Sequence, residues 1–323
     1  MMYFSSQLGK LYAKAKGHRK SILRVILLKL LRDPDIQVNV RGKNLIAPAS
    51  HNLPSYVAEF PFYDELVIRV SNFLREKSGR LIMVDIGANI GDTIVASNNS
   101  NADMFLAVEA HRKFIKYLKQ NCMGIQNSII IEAFLTSTEG KEEKFSVVES
   151  RGTAQISFGG NKKISRRTLD SIILENPSFH EFNFLKIDTD GHDFGVIRGG
   201  RNCISEAVPS VLFESEVSGN ENYLNELQET FSFFRKIGYS LAIVYDNSGY
   251  LFGAYNLDNL GNFKFPLFYQ LTSKLYYFDI LLMKPELAQE FLEKELLYFS
   301  NSTSSELLKR LAMQAQTFPY SLR

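Results

Sequence analysis

The stretch from Leu81 to Asp92, LIMVDIGANIGD, constrains the fold of this 323-residue chain more than any other. Four apolar residues run into Asp85 without a polar break, which is typical of a parallel strand buried on both faces. Gly87 and Gly91 then allow a sharp turn and a close approach of the backbone to a ligand, before a helix begins. The stretch therefore predicts the strand, binding turn and helix that open an α/β fold.

A second buried-strand pattern, MFLAVEA at Met104 to Ala110, supports nucleotide-type binding. It ends in Glu109, an acid about 20 residues after the turn, where a carboxylate can accept hydrogen bonds from ribose hydroxyls. The turn has the spacing G-x-x-x-G instead of the dinucleotide fingerprint, and Asp85 before it suits a cationic or amino-bearing ligand better than a diphosphate. S-adenosylmethionine, with its ammonium, sulfonium and ribose, fits this pattern. An ordinary βα turn without a ligand is the alternative.

Four motifs in order carry a family resemblance. VDIGANIGD resembles the first motif of the FkbM-type methyltransferases, a branch of the class I S-adenosylmethionine-dependent enzymes. RRTLDSII at Arg166 to Ile173 resembles their T-L-D segment, and FLKIDTDGHDFGVIRGG at Phe184 to Gly200 resembles their K-I-D-x-[ED]-G-x-[ED] signature. PSVLFE at Pro209 to Glu214 resembles the next strand. The resemblance implies a Rossmann-like class I methyltransferase sheet, seven-stranded and mostly parallel, with an N-terminal helical extension and C-terminal helices.

The resemblance and the turn together define a donor side of the site. S-adenosyl-L-methionine is the expected cofactor. The predicted cofactor-binding residues are Asp85, Gly87, Ala88, Asn89, Gly91, Asp92, Glu109 and Asp188.

Acids and a histidine follow the predicted strand Phe182 to Asp188, at the carboxyl end where open α/β sheets bind ligands. We predict Asp188, Asp190 and His192 as the catalytic residues. Asp188 would border the methyl donor, and Asp190 or His192 would remove the proton of an acceptor hydroxyl, which is a poor nucleophile otherwise. Asp190 stands where the family often has Glu, and the position of His192 varies within the family.

Two other hypotheses for the role of these acids remain. In one, Asp188, Asp190 and Glu214 hold a divalent ion that activates the hydroxyl, although we expect no metal. In the other, Asp190 caps the following helix, and Asp193 in its first turn interacts favourably with the helix dipole.

Composition limits the class of protein. With 45% hydrophobic residues the chain can bury a sizeable core, and its net charge of +2 calls for no nucleic acid. Cys122 and Cys203 are the only cysteines, which argues against a disulfide framework and agrees with a reducing cytoplasm. Met1 to Lys20 lacks the apolar core of a signal peptide, and SILRVILLKLL is too short to span a bilayer. We expect a globular, cytoplasmic protein.

Three segments are predicted: an N-terminal helical and loop extension (1–75), a methyltransferase domain (76–285) and C-terminal helices (286–323). Gln7 to Arg32 reads as a basic amphipathic helix. It could make a weak contact with a membrane surface, or it could pack on its own domain or a partner subunit with a solvated basic face. The sequence predicts no oligomeric state.

Two segments outside the regular βα pattern are predicted to select the acceptor. One is the polar hairpin Gly140 to Gly160. The other is the aromatic loop His51 to Tyr63, a lid in one reading and a segment packed on the core in the other. The loop carries His51, Tyr56, Phe60, Phe62 and Tyr63.

These features predict methyl transfer from S-adenosylmethionine, to oxygen of a small molecule or of a glycan or polysaccharide precursor. A nucleotide-dependent oxidoreductase on the same sheet is disfavoured by the G-x-x-x-G spacing and Asp85. A non-catalytic binding protein that kept the fold is the remaining alternative.

Overall fold

The computed structural model describes Leu28 and residues 33–150, 153–158, 162–217, 219–273, 275 and 277–316, without the side chains of 141–165. The predicted helix Gln7 to Arg32 lies outside these residues, apart from Leu28. The strands are β1 (Asp35–Val40), β2 (Lys43–Pro48), β3 (Ile82–Ile86), β4 (Met104–Glu109), β5 (Ser128–Glu132), β6 (Phe134–Leu135), β7 (Gly140–Ser150), β8 (Thr153–Phe158), β9 (Lys162–Arg167), β10 (Phe184–Ile187), β11 (Ser210–Glu216), β12 (Leu241–Asp246), β13 (Leu251–Asn256) and β14 (Tyr277–Leu282). The α-helices are α1 (Leu53–Glu59), α2 (Glu65–Ser78), α3 (Asp92–Ser97), α4 (Arg112–Asn121), α5 (Leu169–Glu175), α6 (Asp193–Gly199), α7 (Arg201–Ala207), α8 (Tyr223–Lys236), α9 (Lys264–Thr272), α10 (Pro285–Asn301) and α11 (Glu306–Ala315).

The centre of the fold is an eight-stranded sheet in the order β13-β12-β14-β11-β10-β3-β4-β5. From β11 to β5 every neighbouring pair is parallel. Strand β14 lies antiparallel between β11 and β12, and β13 is antiparallel to β12. The predicted Rossmann-like, mostly parallel sheet is confirmed, with one strand more than the predicted seven. The eighth strand, β13, is a half-exposed edge strand whose sequence LFGAYN lacks the continuous apolar run of a buried strand.

Helices cover both faces of the sheet, which is why its central strands are apolar throughout. All five residues of β3 are buried. On one face the core is filled from α5, α6, α7 and α8, and on the other from α2, α3, α4 and α10. Strand runs that are buried on both sides are the expected signature of this layered arrangement.

Two smaller sheets flank the carboxyl edge of the central sheet. The polar hairpin predicted from Gly140 onward is present as antiparallel β7 and β8, within a four-stranded sheet of order β6-β9-β7-β8. Before the aromatic loop, β1 and β2 form an antiparallel two-stranded sheet. Their positions leave β6 and the loop after β2 beside the ends of the central strands.

The C-terminal part of the described chain is attached to the N-terminal part by a buried ion pair. Arg69 of α2 donates two hydrogen bonds, of 2.7 and 2.8 Å, to the carboxylate of Glu295 in α10. The Tyr245 hydroxyl of β12 donates a third, of 2.9 Å, to the same carboxylate. No described helix is both long and apolar enough to cross a membrane.

Candidate functional site

A cavity of about 470 Å³ opens at the carboxyl ends of β3, β4, β10 and β11. Its volume lies within the range of small-molecule and cofactor sites, and its position is the one that open α/β sheets use for ligands. The lining includes Gly87, Ala88, Asn89, Asp92, Glu109, Asp188, Asp190, His192, Glu214 and Glu216 from the sheet edge, and His51, Tyr56, Phe60, Tyr63 and Asp64 from the segment before α2.

The Gly-rich turn forms the floor of the cavity. Gly87 has φ +79°, and a Cβ atom there would lie 1.8 Å from the carbonyl oxygen of Asp188, so this position accepts only glycine. The amides of Gly87 and Ala88 both donate to the carbonyl of Val108, at 2.9 and 3.1 Å. The close approach of the turn to β10 and β4 therefore explains the first glycine of the motif.

The second glycine has a different role. A Cβ on Gly91, where φ is +84°, would lie 2.7 Å from the side chain of Leu118 in α4. Gly91 thus allows helix packing and is outside the cavity lining.

Glu109 lies at the end of β4 with its carboxylate in the cavity lining and is 8% exposed. One carboxylate oxygen accepts from the amide of Asn89 at 2.8 Å, and the other from the amide of His111 at 2.7 Å. Burial raises the pKa of Glu109 to about 7, against the lowering effect of these amides. A carboxylate offers about four lone-pair sites, so two amide donors leave capacity for two ribose hydroxyls.

Lys186 links two acids beneath and beside the turn. Its ammonium lies 2.9 Å from the Asp188 carboxylate and 3.4 Å from that of Asp85, and it is 5% exposed. Burial alone would lower the pKa of Lys186, but the charges of Asp188 and Asp85 outweigh burial and raise it. Asp85 is fully buried, accepts a 2.5 Å hydrogen bond from Thr93 and is not part of the cavity lining.

The residues after β10 separate into two groups. Asp190 and His192 line the cavity, and Asp190 has a left-handed backbone, with φ +51°. Burial, followed by the charge of Asp188, raises the pKa of Asp190 to about 7. The His192 ring packs edge-on against Phe134, with centroids 5.0 Å apart. Both predicted proton acceptors therefore face the same volume as Glu109.

Asp193 has a structural position instead. It is 2% exposed, and its carboxylate accepts from the Thr189 hydroxyl at 2.8 Å and from the Glu214 amide at 3.2 Å. The capping alternative for Asp190 is wrong, because the residue at the start of α6 is His192 and no side chain caps that helix. Asp193 fixes the turn after β10 to β11, and its pKa is raised to about 7, mainly by burial.

The predicted aromatic loop lies partly at the cavity and partly against the core. Much of it is the helix α1, and His51, Tyr56, Phe60 and Tyr63 line the cavity. Phe62 instead packs edge-on against three aromatic rings, those of Tyr250, Tyr298 and Phe299. We call residues 51–64 the strap. Part of the strap lines the cavity, and Phe62 anchors it to the core, as the core-packing interpretation predicts.

Acids distant in sequence meet on the side of the cavity opposite Glu109. A side pocket of about 40 Å³ joins this region and is lined by Asp64, Glu214 and Asp279, among others. Burial is the main cause that raises the pKa of each, to about 8 for Asp279, and the charge of Asp188 raises all three further. Sequence reasoning missed Asp64 and Asp279 as site residues. We call this group the acidic side.

Asp92, at the start of α3, also lines the cavity, and its pKa is raised to about 6, mainly by burial. Of the predicted cofactor-binding residues, only Asp85 and Gly91 are absent from the lining. Within the described residues, no group of three or more His, Cys, Asp or Glu side chains is arranged to hold a metal ion. The side chains of the predicted acceptor-selecting hairpin lie outside the described residues, although Phe134 and Leu135 at its base line the cavity.

Part of the chain matches the sequence profile of a known protein family. Residues 85–241 match the profile of the methyltransferase FkbM domain. No curated protein matches the chain.

Many solved structures are similar at low identity. The methyltransferase FkbM from Methylobacillus flagellatus KT is 16% identical, over 73% of this chain and 54% of that chain, with a TM-score of 0.34. The O-methyltransferase from Bacillus cereus in complex with SAH is 13% identical, over 71% and 86%, with a TM-score of 0.39. The SAM-dependent methyltransferase from Agrobacterium tumefaciens is 9% identical, over 78% and 70%, with a TM-score of 0.41.

The family profile begins at Asp85, in the Gly-rich turn, and extends through β10 and β11. It therefore contains the turn, Glu109 and the acids after β10 that form the floor and one wall of the cavity. Residues 85–241, just under half of the chain, therefore match the FkbM-type family of methyltransferases, which use S-adenosylmethionine as the methyl donor.

Proposed function

We propose that this protein transfers the methyl group of S-adenosylmethionine to a hydroxyl oxygen of a small molecule or of a glycan or polysaccharide precursor. One observation carries the proposal. A single cavity is lined both by Glu109 with the Gly87 turn, suited to the donor, and by Asp190 with His192, suited to proton transfer. The cavity therefore has the groups for both halves of the reaction.

The residues present fit the donor. Glu109 can accept from both ribose hydroxyls, and the turn at Gly87 to Asn89 leaves backbone, without bulky side chains, along the floor. Asp188 and Asp92 supply negative charge near that floor, which favours a cationic ligand. When bound, S-adenosylmethionine supplies an electrophilic methyl group on a sulfonium.

Asp190 is the residue best suited to take the acceptor proton. Its pKa of about 7 makes its carboxylate a base that is basic enough to accept a proton yet substantially ionised near neutral pH. Its left-handed backbone keeps it on a tight turn above the end of β10. His192, two residues on, is the other candidate, and Asp188 is held by Lys186 at 2.9 Å as a fixed charge.

The charge of the cavity narrows the acceptor class. Among the described residues, seven carboxylates line it against one lysine, Lys186. The members of this group that are ionised would repel phosphorylated or carboxylated acceptors, whereas uncharged or amino-bearing acceptors would not be repelled. We therefore favour an uncharged or amino-bearing sugar or small alcohol.

The test measures donor binding and turnover separately. We expect S-adenosylhomocysteine to be detected by mass spectrometry in the purified protein, and labelled S-adenosylmethionine to methylate a neutral or amino-bearing member of a panel of hydroxyl acceptors. Asp190→Asn should lower kcat about 100-fold or more, with little change in donor affinity, because it removes only the proton acceptor. Asp258→Asn, at an exposed position, is the matched control.

Two results would contradict the proposal. One is undiminished kcat in both Asp190→Asn and His192→Gln. The other is a donor affinity that falls in Asp190→Asn as far as kcat does, since Asp190 would then belong to donor binding.

A further inference from the structure

Helix α9 exposes an apolar face, which is unusual for a helix on the surface of a monomer. Phe265 is 64% exposed and Phe268 is 69% exposed, and Tyr269 and Leu271 beside them are also exposed. Phe252 of β13 extends this surface, with its ring 5.6 Å from that of Tyr269. We call these five residues the α9 patch.

The opposite face of α9 fixes the patch in place. Pro266 and Gln270 are buried, and the Gln270 amide donates to the Ser215 carbonyl at 2.8 Å. The hydroxyl of Tyr223 donates to Gln270 at the same distance. The exposed rings are therefore presented by a helix anchored through buried hydrogen bonds to the end of β11.

The patch lies near two residues that line the cavity. Phe252 contacts the ring of Phe278, with centroids 5.0 Å apart, and the neighbouring residue Tyr277 lines the cavity. Ser215, which anchors α9, precedes Glu216, another lining residue. A surface that contacts the patch would thus be close to the wall of the cavity.

The charged residues of α9 and of the N-terminal segment indicate what kind of surface the α9 patch binds. The sequence of α9, KFPLFYQLT, contains no acid, and Lys264 at its start is exposed beside the Phe265 ring at 5.1 Å. Residues 1–32 contain eight Lys and Arg and no Asp or Glu, so the rest of the chain is net acidic. Aromatic residues flanked by lysine, with a separate basic segment, match the requirements of an anionic lipid surface.

A second copy of the chain fits less well. In a two-fold symmetric contact the same patch faces itself, so two Lys264 ammonium groups would be brought into one small apolar interface. An anionic lipid headgroup would instead pair with this lysine while the rings enter the interface. We propose that the α9 patch binds an anionic lipid surface and so holds the cavity close to that surface.

The absence of tryptophan from the chain allows a direct test. Phe268→Trp places one fluorophore in the patch, and Leu311→Trp places one at an exposed position on α11, a helix that packs on α10 on the other face of the sheet. With vesicles of phosphatidylcholine containing phosphatidylserine, we expect blue-shifted emission and quenching by brominated lipid for the Trp at 268 only. Unshifted emission at 268, or equal shifts at both positions, would overturn the proposal.

Sedimentation with the same vesicles gives an independent measurement. The double variant Phe265→Ser, Phe268→Ser of the full chain should need about tenfold more lipid or more for half-maximal binding, because two large apolar side chains are lost from the contact. Leu307→Ser, Leu311→Ser is the matched control and should bind like the unmodified protein. Since all four side chains are exposed, unchanged melting temperatures are expected for both variants.

Two outcomes would overturn the inference. One is equal vesicle binding by the α9 double variant and the unmodified protein. The other is a protein that ignores vesicles but sediments as a dimer that the α9 double variant dissociates, which would identify a second copy as the occupant.

Discussion

The two sides of the cavity hold their carboxylates in opposite ways. On the donor side, backbone amides fix Glu109 at 2.7 and 2.8 Å, and the turn beneath it allows no side chain at Gly87. On the acidic side, Asp64, Glu214 and Asp279 line one small pocket, and the charge of Lys186 opposes the rise in the pKa of Asp64 and Asp279.

The difference separates two kinds of binding surface. A carboxylate held by backbone amides keeps one geometry, so the side with Glu109 is preorganised for one ligand. Buried carboxyl groups that lie close to one another change charge when a proton or a cation arrives, so the charge of the acidic side can change with its surroundings.

The largest effect should come from filling the space at Gly87. Gly87→Ala puts a Cβ atom 1.8 Å from a carbonyl oxygen, so we expect loss of detectable S-adenosylhomocysteine binding by calorimetry and destabilisation of about 3 kcal/mol or more. Gly79→Ala is the control, since Gly79 has nearly the same φ, +78°, with nothing within 4 Å. It should cost only about 1–2 kcal/mol of backbone strain. Equal losses in the two variants would mean that crowding is unimportant.

The next effect should follow removal of the buried cation. Lys186→Met leaves Asp85 and Asp188 without their cation, and we expect the free energy of unfolding to fall by about 3–5 kcal/mol. Lys77→Met removes a partly exposed pair with Glu290 and should cost about 0–1 kcal/mol. Denaturant unfolding at pH 8 measures both. A small cost at position 186 would show that Asp85 and Asp188 do not need this cation.

A more modest effect is expected for the donor carboxylate. Glu109→Gln should weaken S-adenosylhomocysteine binding about tenfold or more, because one charged acceptor of hydrogen bonds is lost. Glu132→Gln is a close control, since Glu132 is the partner of Glu109 in the β4–β5 register but pairs with Arg112 at an exposed position. Unchanged affinity in folded Glu109→Gln protein would remove Glu109 from the donor site.

The smallest effect is a change in pH dependence. A carboxyl whose folded pKa lies above its unfolded value binds more protons when folded, so its contribution to stability is present at low pH and is lost as pH rises to the folded pKa. For Asp92, Glu109, Asp190, Asp193 and Asp279, with pKa values of about 6 to 8, the free energy of unfolding should therefore fall between pH 5 and 8.

Asp279→Asn should flatten this slope by at most about 1.4 kcal/mol per pH unit, whereas the exposed Glu76→Gln should leave it nearly unchanged. Urea unfolding across the range measures the slope. A stability that rises with pH in the unmodified protein would contradict the raised values on the acidic side.

The position of Glu109 beside the Gly-rich turn could be predicted from the sequence because this arrangement is local. One turn and the next strand hold Gly87 to Asn89 and Glu109, so their spacing along the chain already describes the geometry. The family resemblance implied a sheet of seven strands, one fewer than the central sheet has. The short edge strand β13 was not predicted, because a half-exposed strand needs no continuous apolar run.

The acidic side could not be predicted, because its residues come from segments far apart in the chain. Asp64 precedes a helix and looks like an ordinary N-cap, yet its side chain caps nothing and its φ is +57°. Asp279 interrupts the apolar strand YFDILL, and that interruption was the available signal. Only the insertion of β14 beside β11 brings Asp279 opposite Glu214.

That insertion also sets an order of events during synthesis. Strand β14 fills the gap between β11 and β12, although it is the last strand of the sheet to leave the ribosome. Until residue 282 has emerged, two neighbouring strands present unpaired edges, which are templates for pairing with other chains. A polypeptide truncated between residues 247 and 276 would therefore contain most of the core residues but would expose two unpaired strand edges. Such fragments should accumulate in inclusion bodies, while chains that end shortly after residue 301 should not.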